Sequence, residues 1–403
     1  MSRVLIVGAG IGGDALAVML DRQGWDVTVV EIAPALRSGG QTVDLRGDSG
    51  GVLADLGLLD ECRAQLVDQR GLAWIDATGR HLVEMPVEAF GGAGFVSTEE
   101  LLRTDLARTL HSASGPRTVH RFGDTVTDLS PHEGGVTVAF RQHAPEEFDL
   151  VVGADGAHSR VRALVFGPEE RFRRPLGLAH AWFTLREEPG TPGVDGWFLM
   201  HNAVGARVVE ARPGHPGEQE VGFTFPADAL PARDDRAARF ALLDEMFADT
   251  GWRTRELLAA ARRAEDFALD TYDQVVMDTW HDGRIVLLGD SAWCASPLSG
   301  LGTALALQGA ASLARVLGDH TPQRMDAALA AYEASMRPRA EAAQRMYPGR
   351  VRSFAPRTRR GIRMMLLVMR VLQTRPVAAV IGRLIAGYGR AEAESAPAPT
   401  VVT

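Results

Sequence analysis

After Arg3 the chain opens on an apolar run, VLIV, that closes on GAGIGG; a helix-compatible stretch reaches about Asp21, and a second β-branched run, WDVTVVE, follows. Strands of a buried parallel sheet are apolar on both faces rather than alternating, so this order predicts a βαβ unit. The pattern next predicts a helix from Gly51 to Leu66 and a hairpin in LAWIDATGRHLVEMP turning at Ala77 to Gly79. A helix from Glu99 to His111 and short strands near Thr118 to Arg121 and Val136 to Arg141 come after it. DLVVGAD and GRIVLLGD are two further buried runs ending at glycine turns. The first leads into a short polar helix, HSRVRALVF, and the second into an alanine-rich helix over Gly302 to Leu317.

From about Gly177 to Asp278 the pattern changes. AHAWFTL, ARVVEAR and QEVGFTF alternate with a period of two, broken by a helical pair around Asp234 to Arg263. That alternation predicts an antiparallel sheet forming one wall of a ligand cavity. After Asp326 two or three more helices are expected, then a Pro/Ala-rich tail.

Composition narrows the chemistry. Across 403 residues the net charge is −8, which argues against a nucleic-acid partner. All 43 cationic side chains are Arg, so a P-loop lysine and lysine Schiff-base chemistry are both absent. Cys62 and Cys294 are the only cysteines, which leaves no disulfide framework or CxxC metal motif, and no metal site is expected. The glycine turn comes too soon after Met1 for a signal peptide, and a cytoplasmic location is expected.

Gly8, Gly10 and Gly13 form GxGxxG between a strand and a helix. There the turn admits a pyrophosphate close to the backbone, the third glycine lets helix and strand pack, and the helix N-terminus offers free N–H groups to phosphate. Ile11 and Gly12 complete the turn, and Glu31 ends the second strand where an acid accepts from ribose hydroxyls. This half of the signal fits FAD and NAD equally.

Three spaced segments together carry more: GAGIGG, VVGADGAHSRVR and GRIVLLGDSAWCASPLSGLGTALALQGA. In that order they resemble the FAD-dependent aromatic monooxygenases with the para-hydroxybenzoate hydroxylase fold, the class A flavoprotein hydroxylases that include tetracycline and polyketide hydroxylases. The resemblance covers most of residues 1 to 320. It implies an α/β fold in which a discontinuous, Rossmann-like FAD domain (1–70, 95–176 and 279–345) is interleaved with an antiparallel β-rich substrate domain (71–94 and 177–278). C-terminal helices (346–390) and a disordered tail (391–403) complete this reading. Gly289 and Asp290 match the family's turn on the ribityl hydroxyls, Asp155 its DG segment, and Arg103 the arginine directed at the pyrophosphate. Arg37 and Arg46 stand in a loop that could lie beside the flavin or meet NADPH. Two positions depart from the family: Trp293 where many members have His, and Ala304 where they have Asn. Pro297, Gly300 and Gly302 are retained.

The resemblance implies non-covalent FAD, NADPH or NADH as a transient co-substrate, and oxygen transfer from a flavin C4a-hydroperoxide to an electron-rich ring, with no residue nucleophile. The helix N-terminus at Gly300, Leu301 and Gly302 is expected to face the anionic end of the reduced flavin. Trp182, His201, Phe223, Trp293 and Pro297 are the candidate substrate contacts, and His180, His201 and Tyr272 the candidate bases. A bulky planar aromatic, polyketide or antibiotic-like, is the expected substrate, with O₂, in a monomer or homodimer. Baeyer–Villiger or epoxidising oxygen insertion, a flavin dehydrogenase or reductase, and a drug-sequestering flavoprotein are the alternatives. RGIRMMLLVMRVLQTRPVAAVIGRLIAG has the make-up of an interfacial helix, but Pro376 and its spaced arginines favour packing on the FAD domain over membrane contact.

Overall fold

The computed structural model describes residues 2–37, 39–45, 48–92, 94–318, 324–346, 349–374 and 377. In chain order, β1 (Arg3–Val7), α1 (Ile11–Arg22), β2 (Asp26–Glu31) and β3 (Thr42–Asp44) precede α2 (Asp48–Asp55), α3 (Leu59–Arg63), β4 (Gly71–Ile75) and β5 (His81–Pro86). β6 (Glu100–Leu102), α4 (Arg103–Ser112), β7 (Thr118–Phe122), β8 (Val126–His132), β9 (Gly135–Phe140), β10 (Glu146–Phe148), β11 (Leu150–Gly153) and α5 (Arg160–Val165) follow. Then come β12 (Arg173–Arg186), β13 (Trp197–Ala203), β14 (Arg207–Pro213), β15 (Glu218–Phe225), α6 (Arg236–Phe247), α7 (Thr254–Ala261) and β16 (Ala268–Val275). β17 (His281–Asp282), β18 (Ile285–Leu287), α8 (Asp290–Trp293), α9 (Gly302–Gly318), α10 (Met325–Gln344), α11 (Arg350–Phe354) and α12 (Arg359–Leu372) complete the order.

Four sheets organise these elements. The largely parallel one runs β17-β18-β11-β1-β2-β7, with only the short β17 antiparallel. Its central strands are buried on both faces, as their unbroken Val, Ile and Leu composition requires. The second large sheet runs β16-β12-β15-β14-β13-β4-β5 and is antiparallel except where β4 joins β13 in parallel. A three-stranded sheet (β10-β9-β8) and the pair β3-β6 are minor additions.

Two expectations are corrected. The helix from Gly51 to Leu66 is broken into α2 and α3, because the chain turns at Gly57 in the left-handed region, φ +71°. The helix expected from Glu99 starts at Arg103, because Glu100 to Leu102 pair with β3 instead. The β-rich wall is antiparallel from β12 to β16 as expected, and gains one parallel neighbour where β4 joins β13. The expected break at Pro376 and the tail at 391–403 lie outside the described residues, and no helix among those described is long and apolar enough to cross a membrane.

Candidate functional site

The three glycine turns meet along one edge. β1, β11 and β18 are adjacent and parallel, so their C-terminal ends deliver Gly8, Ala154–Asp155 and Gly289–Asp290 side by side. In open α/β sheets this edge is where ligands bind.

Two glycines are sterically required there. A Cβ on Gly8, which sits at φ +109°, would stand 2.5 Å from the Ala154 carbonyl oxygen; one on Gly13 would stand 2.1 Å from the Gly8 carbonyl oxygen. Behind them α9 lies on α1, with the Ala306 methyl 3.5 Å from where a Gly12 Cβ would be. Gly10 caps α1 without any side-chain partner, leaving the first-turn N–H groups toward the edge. Ile11 is buried beneath them.

Glu31 closes the turn. Its carboxylate accepts from the backbone N–H of Ala9 at 3.0 Å and of Ala33 at 2.9 Å, and the exposed Arg37 guanidinium approaches to 3.9 Å. Arg46 lies outside the described residues. Arg103 opens α4, its N–H donating to the Gln41 carbonyl at 3.1 Å, and its charge reaches Asp290 across the edge. Surrounding protein pushes the Asp290 carboxyl up, with Arg103 opposing.

Asp155 faces its own fold. Its oxygens accept from the Ser159 hydroxyl (2.5 Å), the Arg160 N–H (2.6 Å), the Val161 N–H (3.1 Å) and the Ser291 hydroxyl (3.3 Å). It therefore starts α5 and ties the second turn to the third. The fully buried Arg162 reinforces that tie by donating to the carbonyls of Ser291 (2.9 Å) and Ala157 (2.6 Å).

Past Asp290, Pro297, Gly300, Leu301 and Gly302 are exposed and lead into α9. Between them Leu298 is buried in the same apolar cluster as Phe198, Met200 and Tyr272, which bridges the loop to the mixed sheet.

That sheet has two chemically distinct faces. On β12, β14 and β15 one set of alternate residues, including Ala179, Ala181, Phe183, Val209, Ala211, Val221, Phe223 and Phe225, packs under α6 and α7. The other set is His180, Trp182 and Thr184; Val208, Glu210 and Arg212; Glu220, Gly222 and Thr224. His180 Nδ1 meets the Thr224 hydroxyl at 2.8 Å, its Nε2 meets the Gln41 amide nitrogen, and Glu210 lies 3.8 Å away. Trp182 and Tyr272 stack on its ring at 5.8 and 5.4 Å. Arg212 sits 4.1 Å over the Phe198 ring and donates to Thr42, so the β3 segment reaches across to the mixed sheet.

Burial governs the charges on this face. It drives the His180 imidazole down to about 3, helped by the Arg212 charge, so the ring is neutral. It raises the Glu210 carboxyl to about 6 despite Arg212, and the Glu220 carboxyl to about 7.

Of the residues expected to contact substrate, only Trp182 and the loop Pro297 lie on this side. Phe223 is fully buried on the helix-facing side against Phe183 and Phe247. His201 shares that parity, bonds the Ile75 carbonyl at 3.3 Å, and lines a separate cavity of about 190 Å³ with Ile362, Met365 and Leu366. Trp293 is 2% exposed, packed on Trp280 at 4.5 Å and near Tyr332 at 6.0 Å. Trp293→Phe should therefore lower thermal stability by about 1–3 kcal/mol while leaving the substrate KM unchanged; a raised KM at full stability would return Trp293 to the substrate site.

Gln41, Thr42, Glu210, Arg212 and Glu220 were missed from the sequence. For the last three the signal was there: in ARVVEAR and QEVGFTF, Glu210, Arg212 and Glu220 fall on the parity opposite to Val209, Val221 and Phe223, whereas no periodic strand marks Gln41 and Thr42.

The residues present fit a dinucleotide flavin: two glycines that admit no Cβ, an uncapped α1 N-terminus, an acid ending β2, and a second open helix start at Gly302. The comparisons agree. Residues 1–346 match the family described as FAD binding domain. The chain is 39% identical over 317 residues to an uncharacterised Mycobacterium tuberculosis protein, Rv1260, covering 78% of this chain and 84% of that one. It is 33% identical over 327 residues to the FAD-dependent monooxygenase asL4 of Sarocladium schorii, covering 79% and 76%. The crystal structure of tetracycline destructase Tet(51) superposes with a TM-score of 0.77 at 27% identity, covering 94% of this chain and 98% of that one. The chain thus belongs to the FAD-binding-domain family and is an FAD-dependent monooxygenase of the class A hydroxylase type.

Proposed function

We propose that this monooxygenase uses NADPH or NADH to hydroxylate a bulky planar aromatic held between the Pro297–Gly302 loop and the polar face of the mixed sheet. The observation that carries the reading is the division of that sheet by parity. One face is sealed under helices, while the other sets Trp182, Phe198 and Met200 around Glu210, Arg212 and His180. Aromatic and aliphatic walls with a few convergent polar groups suit a fused-ring compound bearing hydroxyl or enol oxygens. A tetracycline destructase among the structural neighbours is named for such a polyketide.

In this reading FAD, when bound, would take two electrons from NAD(P)H and pass them to O₂, activating it for transfer to the ring. The chain's residues hold it and shape the reaction. Gly8 to Gly13 and Arg103 take the pyrophosphate, Glu31 a ribose, and Asp290 the ribityl hydroxyls. The first N–H groups of α9, which starts at Gly302 after Gly300 and Leu301, would stabilise negative charge on the reduced cofactor. Asp155 acts at one remove, by holding the second and third turns together. Glu210 accepts a proton from a substrate hydroxyl, with Arg212 orienting that oxygen and neutral His180, held between Thr224 and Gln41, packed beside Glu210.

The test is O₂ uptake and NAD(P)H oxidation by the FAD-loaded protein across phenols and polycyclic polyketides under ¹⁸O₂. Substrate-stimulated uptake with one labelled oxygen on an intact ring is expected. Labelled oxygen inserted into a ring bond, or NAD(P)H oxidation without oxygen uptake, would replace hydroxylation by ring insertion or by a dehydrogenase.

A further inference from the structure

Where α1 meets α4 and β7, three side chains distant in sequence converge. Asp14 stands in the first turn of α1, His111 at the end of α4, and His120 on β7. One donor atom from each lies within 4.8 Å of the others. Asp14 is fully buried; its Oδ1 meets His120 Nε2 at 3.1 Å, while Oδ2 stands 3.9 Å from His111 Nδ1. Oδ2 and His111 Nδ1 are both buried, and neither has a hydrogen-bond partner among the described residues.

We propose that Asp14, His111 and His120 bind a divalent transition-metal cation of the zinc class, clamping α1, α4 and β7 together. Two imidazoles and one carboxylate are a ligand set such cations accept, usually with water in the fourth position. At bond lengths of about 2.0 Å, tetrahedral ligands stand roughly 3.3 Å apart. The 3.1 Å pair, through Oδ1, already meets that separation; the 3.9 Å pair, through Oδ2, needs to close by about 0.6 Å, and the two imidazole nitrogens, within 4.8 Å, by up to about 1.5 Å. A buried carboxylate oxygen without a donor is costly, and a cation removes that cost. Phe122 backs both rings, at 5.7 and 6.2 Å, while the His111 and His120 side chains stay 28% and 11% exposed, which leaves a route for the ion and its water.

The location gives the clamp a consequence. α1 begins at the glycine turn and α4 begins at Arg103, so a cation joining Asp14 to His111 ties together the two helices whose N-termini face the nucleotide edge. The three residues follow no recognised ligand spacing, which is why no metal was expected from the sequence.

The experiment uses chelator-treated, FAD-loaded full-length protein titrated with Zn²⁺ by calorimetry and with Co²⁺ by visible spectroscopy, alongside Asp14→Asn and His120→Gln. One equivalent per chain, nitrogen-ligand Co²⁺ bands and a metal-dependent rise in Tm are expected in the parent. Each variant should lose about ten-fold or more in affinity. Parent protein that binds no stoichiometric metal, or variants that bind it equally well, would overturn the site and leave Asp14–His120 as an internal hydrogen-bonded pair. Should Asp14→Asn fail to fold, His120→Gln alone decides the matter.

Discussion

Gly13→Ala should purify without yellow colour. Its Cβ would stand 2.1 Å from the Gly8 carbonyl oxygen and 3.3 Å from the Ile6 side chain, so α1 must slide off β1 before the methyl fits. Strain of about 3 kcal/mol at the turn corresponds to a loss in FAD affinity of roughly 150-fold, because both the phosphate-facing N–H groups and the Gly8 turn move together. Gly10→Ala separates the two contributions. Nothing lies within 4 Å of its Cβ and its φ of −89° suits alanine, so the FAD-free protein should melt as the parent does. Its methyl points to where the cofactor's phosphates would approach, and flavin fluorescence titration should still show weakened binding. A Gly10→Ala protein that held FAD at parental strength would remove the pyrophosphate from this turn.

The turns were legible because each needs a residue type that little else explains. A glycine run closing a buried strand, and an acid directly after a glycine, are demands of the backbone, and they survive without knowledge of the rest of the chain. The parallel sheet follows from them, since Val4, Val151 and Val286 lie on neighbouring strands within unbroken apolar runs. The mixed sheet was legible as strands but not as faces. Side-chain chemistry alone points to Phe223 and His201, whereas parity decides: Phe223 alternates with Gly222 and Thr224, and His201 with Met200. The neighbours of a strand are set by pairing register, so Glu210 and His180 come together only once both are laid against β15 at Gly222 and Thr224. Trp293 was ambiguous for another reason, since the four-residue α8 is too short for a period to assign a face; the aromatic packing with Trp280 and Tyr332 does so.

Glu210→Gln should give an enzyme that is slower yet more stable. Gly222 lies opposite, and a Cβ there would stand 2.6 Å from both Glu210 Oε1 and His180 Cε1, so the two side chains fold over the gap the glycine leaves. With its carboxyl raised to about 6 by burial, Glu210 is protonated below that pH and ionised above it, and turnover should climb as pH rises through about 6. The amide keeps a hydrogen bond to substrate but takes no proton, so kcat falls by about 10²–10³-fold, KM changes little, and the limb near pH 6 disappears. Stability moves the other way. A carboxyl whose ordinary value is 4.5 and whose folded value is about 6 holds its proton longer in the folded state, so parental stability declines between those values and the deficit persists above them. That deficit is about 2 kcal/mol, and the variant should recover up to that much at pH 8 while matching the parent near pH 4. Equal melting curves at pH 8 with unchanged kcat would show that Glu210 is neither the proton acceptor nor a buried charge; a variant that melts higher but turns over normally would leave only the second role.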